Sequence, residues 1–188
     1  MHALVAIHDA IFDFVEKIGD WLMPLAARFV FAATLLFYYW NSGLTKLGDG
    51  IFGIFSPSIG AYSQIFPRQL EAVTYDVSQL GIFHWAVVMA GTWAEFILPL
   101  LVLIGLGTRL ASLGMIGFVV VQSLTDVVGH GATDAKTLGA WFDRFPDSVI
   151  LDQRLFWVFV LSYLVLKGAG AVSVDAILRN RRAQAVPA

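Results

Sequence analysis

Apolar residues are concentrated in four long runs that are separated by polar connections. Each run is close to the roughly 20 residues that an α-helix needs to cross the hydrocarbon core of a bilayer. A short link, Gly105 to Thr108, joins the second run to the third and predicts a tight antiparallel hairpin of helices. Pro24 is suited to the first position of the first helix. We therefore predict an all-α membrane protein, a bundle of four transmembrane helices over residues 24–47, 84–106, 108–128 and 155–174.

The first 23 residues show a different pattern, with apolar side chains at helical spacing and charged side chains mainly on the other side. This pattern predicts an N-terminal amphipathic helix over residues 1–23 that lies at the membrane interface. Its polar face is acidic, so docking onto another protein subunit is the alternative to lying among lipid headgroups. We do not expect a cleavable signal peptide, because the segment lacks a basic start. The acids are Asp9, Asp13, Glu16 and Asp20.

Two longer connections separate the runs. Residues 48–83 contain several Gly and Pro and are predicted to form a loop with a short helix. Residues 130–154 are polar, and we expect a short surface helix from about Lys136 to Phe145. There is no internal repeat and no low-complexity tract, so residues 24–178 are predicted to form one transmembrane domain.

The basic residues that flank the predicted spans indicate an orientation. The last span is followed by a basic tail, residues 179–188, which begins with Arg-Asn-Arg-Arg, and Arg109 lies in the hairpin turn. Lys and Arg next to membrane spans are enriched on the cytoplasmic side. We therefore expect both termini to be cytoplasmic.

The composition supports a membrane location and excludes some chemistry. The chain has 188 residues, of which 58% are hydrophobic and 14% charged, whereas soluble domains average about 25% charged. The formal net charge is −2, without the clustered basic face of a nucleic-acid-binding protein, so we expect no nucleic-acid partner. There is no Cys, which excludes disulfides, thiol redox chemistry and thiolate metal sites.

Glu95 lies near the middle of an otherwise uncharged apolar run from Trp85 to Gly107. A carboxylate at that depth is costly unless it is protonated or paired, so it suggests a function. Lys167 lies well inside the last apolar run and is the partner that we predict from depth. We predict Glu95 and Lys167 as the catalytic pair. A buried ion pair that only fixes the register of the helices is the alternative.

Aromatic and basic residues supply candidates for binding a cofactor. A dense aromatic run lies in the outer half of the first span, and flat aromatic walls beside a buried acid would suit a quinone headgroup. An interfacial aromatic belt is the alternative. The arginines near the cytoplasmic ends of the spans anchor the bundle, or reach towards lipid phosphates. The candidates for cofactor binding are Arg28, Tyr38, Trp40, Lys46, Trp93 and Arg109.

Four polar side chains are predicted to meet at the outer mouth of the bundle. Asp126 and His130 are four residues apart and share a face if the helix continues that far. Lys46 and His84 lie at a similar depth. A His beside a carboxylate can relay protons or form a weak metal site, so Asp126 and His130 are weak metal candidates, and an ordinary polar rim is the alternative.

Several short motifs occur in a characteristic order. Arg28 opens the first span, and Ser42-Gly43-Leu44-Thr45-Lys46-Leu47 closes it. Glu95 precedes the turn Leu103-Ile104-Gly105-Leu106-Gly107-Thr108-Arg109-Leu110-Ala111, and the pattern closes with Lys167-Gly168-Ala169-Gly170-Ala171-Val172-Ser173-Val174-Asp175. Over residues 25–178 this pattern resembles the DoxX family of small bacterial membrane proteins. The resemblance implies a four-helix membrane bundle and an association with redox metabolism, since one branch includes the membrane subunit of a thiosulfate–quinone oxidoreductase.

The resemblance and the residues together predict a protein of the bacterial inner membrane that supports electron transfer. We expect it to be quinone-linked and to work within a larger assembly or a homo-oligomer, as a membrane subunit of an oxidoreductase and not as an enzyme on its own. The first alternative is a non-catalytic accessory or assembly subunit of a respiratory or other membrane complex. The second is a small transporter, which would need oligomerisation to form a pore.

Overall fold

The structure, a computed structural model, describes residues 2–185, which are mostly helical with no β-strand in that range. Four helices are long and apolar enough to cross a membrane, which confirms the predicted four-span helical architecture. Helices that cross a membrane contact the lipid bilayer with their outward apolar side chains. The candidate spans are Leu4–Lys46, Ile82–Ile104, Thr108–Gly129 and Val149–Lys167.

Seven helices, α1 to α7, follow one another along the chain, and three of them contain a wider π-helical turn. Helix α1 consists of His2–Phe31, the π-helical turn Ala32–Leu36, and Phe37–Lys46. The others are α2 Ile59–Ile65, α3 Pro67–Ala72, α4 Ile82–Ile104, α5 Thr108–Leu124 with the π-helical turn Thr125–Gly129, α6 with the π-helical turn Val149–Gln153 and then Arg154–Lys167, and α7 Val174–Ala185. Short 3₁₀ turns cover Ile51–Phe55 and Val77–Gln79.

Helix α1 is longer than expected. The sequence pattern favoured an interfacial helix and then a span that begins at Pro24, but one helix passes through Pro24. Proline removes a single hydrogen bond to the carbonyl four residues earlier, and helices in membranes tolerate it. The 43 residues of Leu4–Lys46 measure about 65 Å at 1.5 Å per residue. That is about twice the hydrocarbon thickness of a bilayer, so the N-terminal part of α1 extends past the bundle.

The four spans pack in a ring in which α1 contacts α4 and α6, and α5 contacts the same two helices. Large apolar side chains fill the centre, among them Phe31, Tyr39, Met115 and Leu161. A second cluster around Leu70 packs the short helices α2 and α3 against α4. This cluster holds the 48–83 connection over one end of the bundle.

The surface helix predicted from Lys136 to Phe145 is wrong. These residues form turns, and Gly139 and Phe142 have positive φ angles of 77° and 64°. Left-handed backbone at two positions only three residues apart is incompatible with a right-handed helix. The Asp134 carboxylate instead accepts hydrogen bonds from the backbone N–H groups of Lys136 and Thr137, both at 3.0 Å.

Candidate functional site

The buried carboxylate of Glu95 is paired with Lys46. The Lys46 Nζ atom lies 2.9 Å from Glu95 Oε1 and 3.0 Å from Oε2. The two side chains are only 6% and 3% exposed. Lys46 is the last residue of α1, and its side chain folds back along the helix, so that Nζ is also 3.3 Å from the Ser42 carbonyl oxygen. Side chains on a helix point towards its N-terminus, which carries this ammonium from the helix end into the bundle.

The predicted pairing of Glu95 with Lys167 is therefore wrong. Helix α6 ends at Lys167, because Gly168 and Gly170 adopt positive φ angles and turn the chain away. Lys167 is thus the last residue of its helix and does not lie well inside it. Its side chain is 57% exposed, and its nearest acid is Asp20, with 3.5 Å between Nζ and Oδ1.

Ser42 completes the network around the pair. Its Oγ atom donates a hydrogen bond to Glu95 Oε1 at 3.0 Å and accepts one from Lys46 Nζ at 2.6 Å. Ser42, Lys46 and Glu95 therefore provide hydrogen-bond partners for one another. Charged groups are kept in an apolar interior only when their polar atoms have such partners. A carboxylate offers about four acceptor positions, so Glu95 retains one beyond the three bonds that it accepts.

The pair lines a cavity of about 450 Å³ between α1, α2, α4 and α5, which we name the central cavity. Small residues form much of its wall, among them Ala90, Gly91 and Gly117. A Cβ atom added at Gly117 would meet no other atom within 4 Å, so the wall is open at that point. The cavity therefore combines an apolar, small-residue wall with one buried pair of charges.

Three of the four polar residues predicted at the outer mouth line the central cavity. Lys46, Asp126 and His130 all contribute to its wall. Asp126 is paired with Arg154, with 2.6 Å between Oδ2 and Nη2, and His130 Nε2 lies 3.0 Å from the Gln64 carbonyl oxygen. Arg154 is not among the residues predicted from the sequence for this site. Its position directly before the last apolar run, where a charge must find a partner, is the signal that could have indicated it.

His84 is not part of this group. Its ring packs edge-on against Phe66, with 4.8 Å between ring centroids, and does not line the central cavity. Residues 2–185 contain no group of three or more His, Asp and Glu side chains arranged to hold a metal ion. Asp126 and His130 thus lack a third ligand within the part of the chain that the structure describes.

The predicted aromatic candidates lie beside the central cavity and not in its wall. The indole N–H of Trp40 donates to the Phe96 carbonyl at 3.2 Å, and that of Trp93 donates to the Ile54 carbonyl at 2.8 Å. Tyr38 Oη accepts a hydrogen bond from Gln122 Nε2 at 3.0 Å, and Gln122 does line the cavity. A cofactor-binding role for these aromatics stays a prediction.

Phe118 contributes an aromatic ring to the wall of the central cavity, and it is not among the aromatic residues predicted from the sequence. Its ring packs edge-on against the fully buried ring of Tyr39, with 5.5 Å between centroids. Helical spacing alone places Phe118 equally well against lipid, so only the packed structure distinguishes the two positions.

Arg28 holds the opposite end of the bundle together. Its guanidinium is buried and donates to four backbone carbonyls, two at the end of α4 and two in the turn after α6. The acceptors are the carbonyls of Val102, Leu103, Ala169 and Val172. Glycines allow this close approach, since a Cβ atom at Gly105 would lie 2.9 Å from the Arg28 guanidinium carbon. Arg28 therefore joins the ends of α4 and α6 and lies away from the central cavity. Its predicted role in cofactor binding stays a prediction.

Asp175 caps the helix hairpin from outside. Its carboxylate accepts hydrogen bonds from the backbone N–H groups of Gly107 at 2.7 Å and Thr108 at 3.0 Å, at the start of α5. Burial alone would raise the pKa of Asp175. The hydrogen bonds from Thr108 and Gly107 lower it by more than burial raises it, so the pKa lies below its ordinary value of 3.8. The ionised carboxylate is therefore the form that stabilises this turn.

Replacing Asp175 with alanine is expected to lower the free energy of unfolding by about 1 kcal/mol at pH 7, a typical loss for a helix cap. Because the pKa is lower in the folded state, the carboxylate contributes fully above its unfolded value of about 3.9 and loses that contribution as the pH falls through the folded value. Thermal unfolding of Asp175→Ala and the wild type in detergent, from pH 7 to pH 3, measures the difference. A gap that does not narrow below about pH 4, or an equal loss in the exposed control Asp49→Ala, would contradict this account.

Comparison with known proteins identifies the family. A family model described as DoxX matches residues 23–126, more than half of the chain. No curated protein and no solved structure matches the chain significantly. The matched region contains α1 from Met23 onwards, α4 and most of α5, and therefore includes both partners of the Lys46–Glu95 pair. This chain belongs to the DoxX family of membrane proteins.

Proposed function

We propose that this DoxX protein binds the headgroup of a membrane quinone in the central cavity and takes part in the proton transfers that accompany quinone redox chemistry. One observation carries the proposal. The Lys46–Glu95 pair is almost fully buried, yet both side chains line a cavity that is otherwise mostly apolar. Ionisable residues inside membrane spans are costly and commonly mark functional sites.

The size and lining of the cavity suit such a ligand. Its volume of about 450 Å³ falls within the range of roughly 300 to 1,000 Å³ that is usual for small-molecule sites. The small residues of α4 and α5 leave space for a flat ring, and Phe118 offers an aromatic face. A quinone partitions into the bilayer, so a cavity formed by membrane spans is accessible to it from the lipid.

The polar groups provide what a quinone headgroup needs. Reduction of a quinone consumes two electrons and two protons and converts both carbonyl groups to hydroxyls. Lys46 can donate a hydrogen bond to a quinone carbonyl by giving up one of its contacts with Ser42. The Glu95 carboxylate can accept a proton from a hydroxyl of the reduced form and return it on oxidation or reduction. Asp126 and His130 line the same cavity towards its polar end and can exchange protons with water. The electrons come from a reductant carried by a partner subunit of a larger assembly, since this chain has no Cys for thiol chemistry.

The proposal predicts that Glu95→Gln weakens binding of the reduced form, the quinol, by at least about tenfold, because a quinol hydroxyl loses its charged hydrogen-bond acceptor. Calorimetric titration of the purified protein in detergent with a short-chain ubiquinol, kept reduced, measures the dissociation constant. Gly117→Leu places a side chain in the open part of the cavity and should block binding without touching the charged pair. Asp20→Asn, an exposed acid outside the cavity, is the matched control.

Each result has a clear consequence. Weaker binding in both cavity variants, with Asp20→Asn unchanged and all variants folded by thermal unfolding, supports the site. Wild-type affinity in both Glu95→Gln and Gly117→Leu rejects the central cavity as the quinone site, and so does a wild-type protein that binds no quinone.

A second function is supported by the N-terminal part of α1. It carries eleven exposed large apolar side chains between Leu4 and Met23 together with four acids, and it extends past the bundle. This surface supports the role of a non-catalytic accessory subunit that docks to another membrane protein. Copurification from native membranes, with and without residues 2–22, distinguishes the roles, because a lone protein that binds quinone normally would argue against the accessory function.

We further propose the bacterial inner membrane as its location, with both termini in the cytoplasm. Arg109 and Lys167 lie at the ends of spans on the side of the described termini, and Arg179, Arg181 and Arg182 follow in α7. This basic cluster directly after the last span supports the orientation.

A further inference from the structure

We propose that a second, basic hollow at the other end of the bundle binds the phosphate group of an anionic lipid. The hollow measures about 310 Å³ and lies between the start of α5, the turn after α6, and α7. Three basic side chains line it, those of Arg109, Lys167 and Arg179. We call it the basic hollow.

The cations of the basic hollow outnumber its acids. The only carboxylate in its lining is that of Asp175, and both of its oxygens already accept backbone hydrogen bonds. Among residues 2–185, neither Arg109 nor Arg179 forms a salt bridge or a side-chain hydrogen bond. Lys167 has only the exposed Asp20, at 3.5 Å. Asp175 is close enough to Arg179 and to the neighbouring Arg28 for its charge to act on both. This single acid faces three cations in the hollow, so the N–H donors of both guanidinium groups remain available to an anion. Arginine forms bidentate hydrogen bonds with phosphate.

A buried charge next to the hollow strengthens its positive potential. Arg28 is buried against the same hairpin turn and donates only to neutral carbonyl groups. No salt bridge of Arg28 occurs within the described part of the chain. Charges in a medium of low polarity are weakly screened, so this cation also attracts an anion at the end of the bundle.

The depth of the basic hollow favours a lipid headgroup over a soluble anion. Thr108 is the first residue of one candidate span and Lys167 is the last residue of another, so the hollow lies where the hydrocarbon region ends. Leu110 lines the hollow and is 77% exposed, which places a lipid-facing side chain at its rim. A phosphate in this hollow would have its acyl chains alongside α5.

Titration of the purified protein with phosphatidylglycerol, followed by native mass spectrometry, tests the proposal. We expect one retained lipid, a clear preference over phosphatidylcholine, and at least about tenfold weaker binding in both Arg109→Gln and Arg179→Gln, since each removes a charge-assisted contact. Arg181→Gln is the matched control, because it removes the same charge from α7 outside the hollow.

A parallel titration with inorganic phosphate separates the two sources of the anion. Displacement of the lipid only at high phosphate concentration supports a headgroup site, whereas tight phosphate binding without lipid, lost in Arg109→Gln, supports the same hollow with a soluble anion as its ligand. An equal loss in Arg181→Gln, or no retained lipid and no phosphate binding in the folded wild type, overturns the proposal. Unfolding temperatures of all three variants verify that a loss of binding is not a loss of fold.

Discussion

Replacing Lys46 with methionine is expected to lower the free energy of unfolding by about 3 to 5 kcal/mol, the usual cost of removing one partner from a buried ion pair. The substitution keeps an unbranched, flexible side chain that is one atom shorter, but it leaves the Glu95 carboxylate without its ammonium, in a place where it is only 3% exposed. Ser42 supplies a single hydrogen bond, which cannot replace the two contacts from Lys46. Reversible unfolding in mixed micelles of increasing denaturing detergent measures the loss.

The second half of this experiment removes both charges. The double substitution Lys46→Met with Glu95→Leu should recover most of the lost stability, because a well-packed apolar pair is often as stable as a buried ion pair. The double variant should still fail to bind a short-chain quinone. It would then be a stable protein that lacks the proposed binding function. A double variant as unstable as Lys46→Met alone would show that the damage comes from packing. A stable single variant would contradict the assigned role of the pair.

Replacing Arg28 with alanine is the other change from which we expect a large effect, a loss of about 3 to 6 kcal/mol. The guanidinium donates to carbonyls of Val102, Leu103, Ala169 and Val172, and hydrogen bonds from charged groups contribute about 1.5 to 3 kcal/mol each, without full additivity. The same unfolding measurement applies. Arg28→Lys should recover less than half of the loss, since an ammonium cannot reproduce the planar fork of arginine.

The segments that loosen in Arg28→Ala provide a second test of its role. Hydrogen exchange should rise first in the turn Gly168 to Ser173 and at the end of α4, because these segments are joined by the guanidinium. Arg181→Gln, which removes an exposed charge, should change neither stability nor exchange. Uniform loosening of all four spans in Arg28→Ala would contradict a local anchoring role.

The spans could be predicted from the sequence because the bilayer sets both their length and their apolar character. The partner of Glu95 could not, since depth was measured from the ends of apolar runs. Lys167 belongs to an apolar run that continues past the helix end at Gly168, which made it look deep. Lys46 ends α1 and looked peripheral, but its flexible side chain folds one turn back into the bundle.

The central cavity illustrates the same limit. Lys46, Asp126 and His130 were expected to converge, and they do line one cavity. Arg154 and Phe118 could not be selected, because the contact of Arg154 depends on how α6 is rotated against α5, and that of Phe118 on how α5 is rotated against α1. Rotation about a helix axis depends on packing between apolar surfaces, and several rotations bury almost the same surface.

The π-helical turn Ala32–Leu36 determines where the first span can lose a residue without misaligning its two ends. Arg28 and Lys46 are 18 residues apart, about five turns of an α-helix. The wider turn accommodates one extra residue, equivalent to a rotation of about 100° for everything that follows. Natural relatives that lack one residue between Phe31 and Phe37 would therefore keep Arg28 and Lys46 in register by closing this turn into a regular α-helix. We expect the first span to tolerate a deletion there. The same deletion within the α-helical residues Phe37–Lys46 would misalign Lys46.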